Sequence, residues 1–257
     1  MNGRGIPLLV YLNSDGEEID RILGWLPPDE YLKRIKDIFN GIDTFLSLKN
    51  NFISGSRDNK VVTKLSEKCQ SYNSLELCND VYSYVIDNKT SFDTQTIFTS
   101  ELISSKKQLE VNGDTASLIK LIHRYDSPEH QKLIYNTLVY YYHDSGDVDA
   151  ESKLYKEFSD KFSLDANVLN AYAWRMTELQ LNLEDALVKS MLAVDLTSTN
   201  PEVQANILDT KAELLWLLNR FDEAISTINI AIDINPQSDY FKEQKIKFQN
   251  SKDEEKL

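Results

Sequence analysis

The side chains best suited to chemistry in this sequence are two cysteines, three histidines and adjacent carboxylates such as Glu17-Glu18 and Glu254-Glu255. Cys69 and Cys78 have a spacing that fits neither a redox Cys-x-x-Cys pair nor a zinc knuckle. Two interpretations follow. We favour two buried thiols that act as small apolar side chains. The alternative is that the cysteines face each other across a helical hairpin and are linked in an oxidising compartment.

The remaining candidates form no catalytic pattern. The adjacent carboxylates lie in a turn and in the charged C-terminal tail, where solvation accounts for them. The sequence also has no glycine-rich phosphate loop, no nucleophile elbow and no zinc signature. We therefore predict no catalytic residue, no metal site and no cofactor, so that this chain is not an enzyme. The histidines in question are His123, His130 and His143.

The composition limits the partners. The chain has 257 residues, 41% of them hydrophobic, and a formal net charge of −13. A protein that binds nucleic acid needs a basic surface, so this charge argues against nucleic acid. No apolar run approaches the ~20 residues that span a bilayer, and the N-terminus lacks the features of a signal peptide. We expect a protein or peptide partner, and the sequence leaves the compartment and oligomeric state open.

Residues 207–236 predict two antiparallel helices joined by a tight turn. Apolar residues recur at three- and four-residue spacing in both halves. Ala212, Ala224 and Ala231 are small enough to let the two helices approach closely. Asn235 and Pro236 end the second helix, because proline disfavours helix at the residue before it.

The same pattern occurs twice upstream. Ala150 and Ala186 align with Ala224, at intervals of 36 and 38 residues (186 − 150 and 224 − 186). These units resemble tetratricopeptide repeats (TPR), whose period is about 34 residues. The resemblance implies a mainly α, TPR-like α-solenoid that binds a protein or peptide along a concave face. The residues that we expect on that face are Asn136, Tyr140, Asn170, Arg175 and Lys211.

Residues 1–41 have a different pattern. Strands are predicted at 8–12 and 19–23, with a hairpin turn at Asp15-Gly16. Pro28 then begins a helix. Its predicted apolar face consists of Tyr31, Leu32, Ile35, Ile38 and Phe39.

This ββα piece resembles the C-terminal half of a thioredoxin-like domain, and the whole chain resembles bacterial thioredoxin-like proteins with a helical or TPR extension. The resemblance implies that Ile6 and Pro7 help line a peptide-binding groove. It also implies a parent protein that is periplasmic or exported and acts in cell redox homeostasis. The family's Cys-x-x-Cys is missing from this chain, and dithiol exchange needs both thiols. We favour a fragment of a longer protein; the alternative is a cap on the helical array.

The resulting prediction has four segments. Residues 1–41 form the partial thioredoxin-like domain, 42–126 degenerate TPR-like hairpins, 127–249 TPR repeats and 250–257 a frayed tail. The predicted function is a non-catalytic interaction module that acts as a scaffold or recruits substrates. The alternative is a fragment of a thiol–disulfide oxidoreductase whose Cys-x-x-Cys half is absent from this chain.

Overall fold

The structure is a computed structural model that describes residues 8–72 and 76–254. In these residues the protein is mainly helical, with a two-stranded sheet near its N-terminus. The chain forms two compact units, Met1–Ile134 and Tyr135–Leu257. The predicted mainly α architecture with a small N-terminal sheet is therefore confirmed.

The first unit contains both strands and the first six helices, and the boundary between the units falls within α7. The elements are β1 Leu8–Leu12, β2 Glu18–Leu23, α1 Pro28–Phe39, α2 Phe45–Ile53, α3 Asn59–Cys69, α4 Glu76–Asp87, α5 Thr94–Asn112, α6 Ala116–Arg124 and α7 Pro128–Ser145.

The second unit continues with helices of similar length. They are α8 Val148–Lys161, α9 Ala166–Leu179, α10 Leu183–Leu196, α11 Pro201–Leu217, α12 Phe221–Ile234 and α13 Asp239–Glu254.

Strands β1 and β2 pair antiparallel, and Tyr11 lies opposite Asp20. Residues opposite each other point to the same side of a sheet. Tyr11 and Asp20 point towards α1, where the Tyr11 and Tyr31 hydroxyls are 3.4 Å apart and Arg34 pairs with Asp20. One side of the hairpin is therefore held by polar contacts.

The predicted apolar face of α1 is wrong at two positions. Leu32 is 55% exposed and Phe39 is 80% exposed, whereas Ile38 is buried. The same helix also directs Arg34 to the buried carboxylate of Asp20. That ion pair could not be read from the spacing of apolar residues.

Helices α2 to α4 enclose the core of the first unit, as the apolar spacing predicts. Phe45, Leu48 and Phe52 of α2 are buried against Val62 and Leu65 of α3. These helices position the end of the hairpin, because β2 packs on α2.

Cys69 and Cys78 form a disulfide between α3 and α4, with Cα atoms 5.4 Å apart. Both residues are buried. Our preferred interpretation of two separate thiols is therefore wrong, and the alternative of a linked helical hairpin is confirmed.

The hairpin of α5 and α6 differs from its predicted length. The sequence predicts a helix over 94–102, but α5 continues to Asn112. Gly113 ends it with φ of 71°, a left-handed conformation that glycine adopts without strain. The part of the helix that was missed, 103–112, is mostly polar and includes the buried Ser105, so apolar spacing did not reveal it.

The alanines that let helices approach closely in the second unit are confirmed as contact positions, and we call each line of such contacts an alanine seam. Ala186, Ala193, Ala224 and Ala231 are all fully buried. Ala150 is only half-buried, so the earliest repeat is packed less closely at this position. The predicted fraying from residue 250 is not seen before Glu254: α13 runs to that residue, and its Ser251 accepts a hydrogen bond from Trp216 Nε1 at 2.8 Å.

Candidate binding surface

Helices α9, α11 and α13 lie side by side in the second unit. Helix α11 packs on α9, and side chains of α11 bond to side chains of α13. We call this surface the A face. Helices α10 and α12 are the second members of the hairpins that begin with α9 and α11.

Three polar contacts join α11 to α13, and we call them the α11–α13 ladder. Lys247 Nζ lies 2.6 Å and 2.8 Å from the two carboxylate oxygens of Glu213. The same ammonium lies 3.8 Å from the ring centroid of Trp216, a favourable cation–π distance. The other two contacts are Trp216–Ser251 and Tyr240–Asp209.

Asp209 is the unusual member of the ladder. It is only 6% exposed. Tyr240 donates to its Oδ2 at 3.2 Å, while no group of the described residues bonds to its Oδ1. A buried carboxylate oxygen without a donor is costly. Asp209 is therefore a position on the A face that packing does not explain.

Burial raises the pKa of Asp209 to about 6. The hydrogen bond from Tyr240 and the charge of Lys247 lower this pKa, whereas the charge of Glu213 raises it further. Burial and the charge of Asp209 also raise the pKa of Tyr240. The ladder thus holds two carboxylates and one ammonium, an arrangement that favours an added cation.

The predicted site residues have different surroundings. Asn136 and Tyr140 are exposed and lie one turn apart on α7. Asn170 is half-buried, and its Oδ1 has no hydrogen-bond donor among the described residues. Lys211 is half-buried. Ile6 and Pro7 lie outside the described residues.

Arg175 is already engaged by carboxylates. Its guanidinium donates to both oxygens of buried Glu151, at 2.7 Å and 2.9 Å, and to Glu178 at 2.9 Å. The hydrogen bond to Glu151 is the main cause of the raised pKa of Arg175. The Nδ1 atom of His143 lies 3.3 Å from Oε1 of the same Glu151. Arg175 thus ties α9 to α8, and a ligand would have to compete with Glu151 for it.

Sequence reasoning missed Asp209, Tyr240 and Lys247. Asp209 and Glu213 are four residues apart in α11, which places them on one side of a helix. That acidic pair was a usable signal. Nothing in the sequence indicated α13 as the partner, because its mean apolar character is low and its helix was not predicted beyond residue 249.

A cavity of about 390 Å³ in the first unit has four cationic side chains in its wall. Each is paired with an acid: Arg34 and Lys68 with Asp20, Lys64 with Asp43, and Arg21 with Glu18. These cations are therefore occupied in holding the hairpin. Over residues 8–72 and 76–254 no group of three or more His, Cys, Asp or Glu could hold a metal ion.

Comparisons with known proteins add little beyond this geometry. No protein-family profile matches the sequence, and no curated protein matches it significantly. Among solved structures, the chain is similar to a thermophilic TPR protein of Thermus thermophilus. The two are 11% identical over 86% of this chain and 93% of the other, with a TM-score of 0.33. We therefore base the fold assignment on the helical hairpins themselves.

Proposed function

We propose that this chain is a non-catalytic module that binds a protein or peptide segment on the A face of its second unit. The observation that carries the proposal is the unpaired Oδ1 of Asp209 beside the acidic group of Glu213. A Lys or Arg side chain of a partner would supply the missing donor. Tyr240, which is exposed to solvent, is the side chain that such a ligand would displace.

The test is a selection from a random peptide library against the full chain. Selected peptides are then titrated by fluorescence anisotropy against the wild type and Asp209→Asn/Glu213→Gln, which removes two charges with little change of shape. We expect binding to weaken at least about tenfold, because two charge-assisted contacts are lost.

The matched control is Glu202→Gln/Asp233→Asn, which removes the same charge from exposed positions of α11 and α12. Its affinity should stay within about twofold of the wild type. If both double variants weaken binding equally, the peptides are attracted by the overall negative charge of the protein and not by a site on the A face. Failure to enrich any peptide would argue against the A face altogether.

The non-enzymatic assignment is tested by thiol–disulfide exchange. Cys69 and Cys78 are joined to each other and buried, so neither sulfur offers an accessible thiolate for attack. In an insulin-reduction assay with dithiothreitol, the chain should not exceed the rate without protein. A rate above that background, lost in Cys69→Ser/Cys78→Ser, would contradict the proposal.

A second candidate is that the chain is a fragment of a thiol–disulfide oxidoreductase. The observation that favours it is an exposed apolar side of the hairpin, which carries Leu8, Val10, Leu12 and Leu23. In a longer thioredoxin-like protein further strands and helices would cover this side. The polar contacts on the other side of the hairpin favour the cap interpretation instead.

The two candidates are separated by the DNA upstream of the Met1 codon. An in-frame continuation that encodes a strand–helix unit with Cys-x-x-Cys favours the oxidoreductase. A start site at Met1, together with a stably folded product, favours the interaction module.

The disulfide bears on the compartment. Within the described residues, no helix combines the length and the apolar character that crossing a bilayer requires. Disulfides persist in oxidising compartments and are rare in the cytosol. We infer that the chain works in an oxidising compartment, and alkylation of free thiols in intact cells, followed by mass spectrometry, should find Cys69 and Cys78 unmodified.

A further inference from the structure

Helix α10 carries its only cation inward and four of its apolar side chains outward. Lys189 is its only Lys or Arg, and this residue is buried. Val188 is 66% exposed and Met191 is 47% exposed. A surface helix of a folded protein normally has the opposite arrangement, with charge outside and apolar residues inside.

The inward position of Lys189 is fully supported by partners. Its ammonium lies 2.7 Å from Asp160 Oδ1 and 3.1 Å from Asp185 Oδ2, and it donates to Ser159 Oγ at 2.8 Å. It also lies 4.3 Å from the ring centroid of Tyr172. These contacts fix the rotation of α10, so the outward direction of its apolar side chains is a built feature of the fold.

The exposed side chains form one stripe along the helix. They follow the three- and four-residue spacing by which one side of a helix contacts another helix, at positions 188, 191, 192 and 196. The opposite side of α10 packs on α9 and α11. We call this stripe the α10 stripe, and its four apolar members are Val188, Met191, Leu192 and Leu196.

The neighbouring repeat shows that packing does not require apolar residues at two of the four stripe positions. The buried alanines align α10 with α12 at an offset of 38 residues (224 − 186). Under this offset Val188 corresponds to Ser226 and Met191 to Asn229. Leu192 and Leu196 correspond to Ile230 and Ile234. The same fold therefore accepts polar residues at the positions of Val188 and Met191, and packing alone does not account for these two side chains.

Charge selects the occupant. Glu184 and Asp195 are exposed on the same side of α10, at the two ends of the stripe. With Lys189 turned inward, α10 offers two carboxylates and no cation to a partner. A second copy of the chain would bring the same carboxylates and a net charge of −13, which opposes self-association.

We propose that the α10 stripe docks an amphipathic helix of a partner protein whose apolar side is flanked by Lys or Arg. The partner's apolar side chains cover Val188, Met191 and Leu192, and its cations lie near Glu184 and Asp195. This surface is distinct from the A face and does not depend on the function proposed for that face.

The probe is a fluorescein-labelled helical peptide of about 18 residues, with leucine at i, i+3, i+4 and i+7 and lysine elsewhere. An otherwise identical peptide with glutamate in place of lysine is the control ligand. We expect the wild type to bind the lysine peptide with a Kd of about 10 μM and the glutamate peptide at least about tenfold more weakly.

The deciding variant is Val188→Ser/Met191→Asn, which places the α12 residues on α10 without changing charge. It should weaken binding of the lysine peptide at least about tenfold while the circular dichroism spectrum stays unchanged. The matched control is Ile230→Ser on α12, an exposed apolar residue outside the stripe, which should change the Kd by less than about twofold.

Three results would overturn the proposal. They are an unchanged Kd in Val188→Ser/Met191→Asn, equal binding of both peptides, and equal weakening by Ile230→Ser. Light scattering after size-exclusion chromatography tests the other possible occupant, a second copy of the chain. A wild-type dimer that becomes a monomer in Val188→Ser/Met191→Asn would assign the stripe to a second copy and overturn the helical partner.

Discussion

The β1–β2 hairpin and the α9–α12 repeats are held in place by different forces. The hairpin is fixed through the fully buried carboxylate of Asp20, which pairs with Arg34 of α1 and Lys68 of α3. The repeats are fixed by close approach of helices at fully buried alanines such as Ala186 and Ala224. One region depends on charge and the other on volume.

The difference teaches which features of a sequence reveal packing. An alanine seam leaves a periodic mark, because every hairpin needs a small residue at the same position. A buried ion pair leaves none, because its members are distant in the sequence and look like surface residues. Each mechanism should also fail in its own way when it is disturbed.

The largest effect is expected from Asp20→Ala. Removal of the carboxylate leaves Arg34 and Lys68 without their partner, and breaking a buried pair costs about 3 kcal/mol or more in the free energy of unfolding. Urea unfolding followed by circular dichroism measures the change. The control is Asp29→Ala, an exposed carboxylate in α1, for which we expect less than about 1 kcal/mol. Similar losses from the two variants would mean that charge does not fix the hairpin.

A smaller loss is expected from Ala224→Leu. The larger side chain has no space in the seam between α11 and α12, and overpacking of this kind costs about 1–3 kcal/mol. Ala171→Leu makes the same change at an exposed position of α9 and should be near neutral. The free energy of unfolding of both variants is measured in urea. If Ala224→Leu is as stable as Ala171→Leu, the seam is looser than full burial indicates.

The smallest effect, and one of opposite sign, is expected from Asp209→Asn. The ordinary pKa of Asp209 is 3.8 and its folded pKa is about 6. The folded protein thus binds more protons in this interval. The stability from protonated Asp209 is fully present below about pH 3.8 and is lost as the pH rises through about 6. The uncharged amide should therefore raise the free energy of unfolding at pH 7.5 by about 1 kcal/mol.

The pH dependence sharpens this prediction. Thermal unfolding between pH 4 and 7.5 should show that Asp209→Asn gains on the wild type as the pH rises. For Asp233→Asn, at an exposed position of α12, the difference in stability from the wild type should be the same at every pH. A constant difference between Asp209→Asn and the wild type would show that the folded pKa of Asp209 is not raised.

The sequence was sufficient for the elements whose packing repeats. The strand at Leu8–Leu12 and the helices around Ala186 and Ala224 were predicted closely. It was insufficient where a polar side chain decides the packing. Arg34 of α1 pairs with buried Asp20, and the second half of α5 is mostly polar, so apolar spacing alone misled at both places.

The candidate site was predicted less well than the fold. Asn136 and Tyr140 are exposed on α7, whereas Arg175 is engaged by Glu151. Their place on a ligand-binding face stays a prediction. Asp209 was not predicted as a site residue, because what distinguishes it is a carboxylate oxygen that lacks a hydrogen bond. The spacing of residues in the sequence cannot show that a hydrogen-bond donor is missing. Only the arrangement of α11 and α13 shows it.

The bond between Cys69 and Cys78 closes a covalent ring that includes the connection from α3 to α4. A protease that cuts this connection would leave two peptides in one molecule. An unreduced gel would then show a single band at the original mass, and a reduced gel would show two bands. As long as the disulfide is intact, such a cut would therefore not release the N-terminal hairpin from the helices that follow.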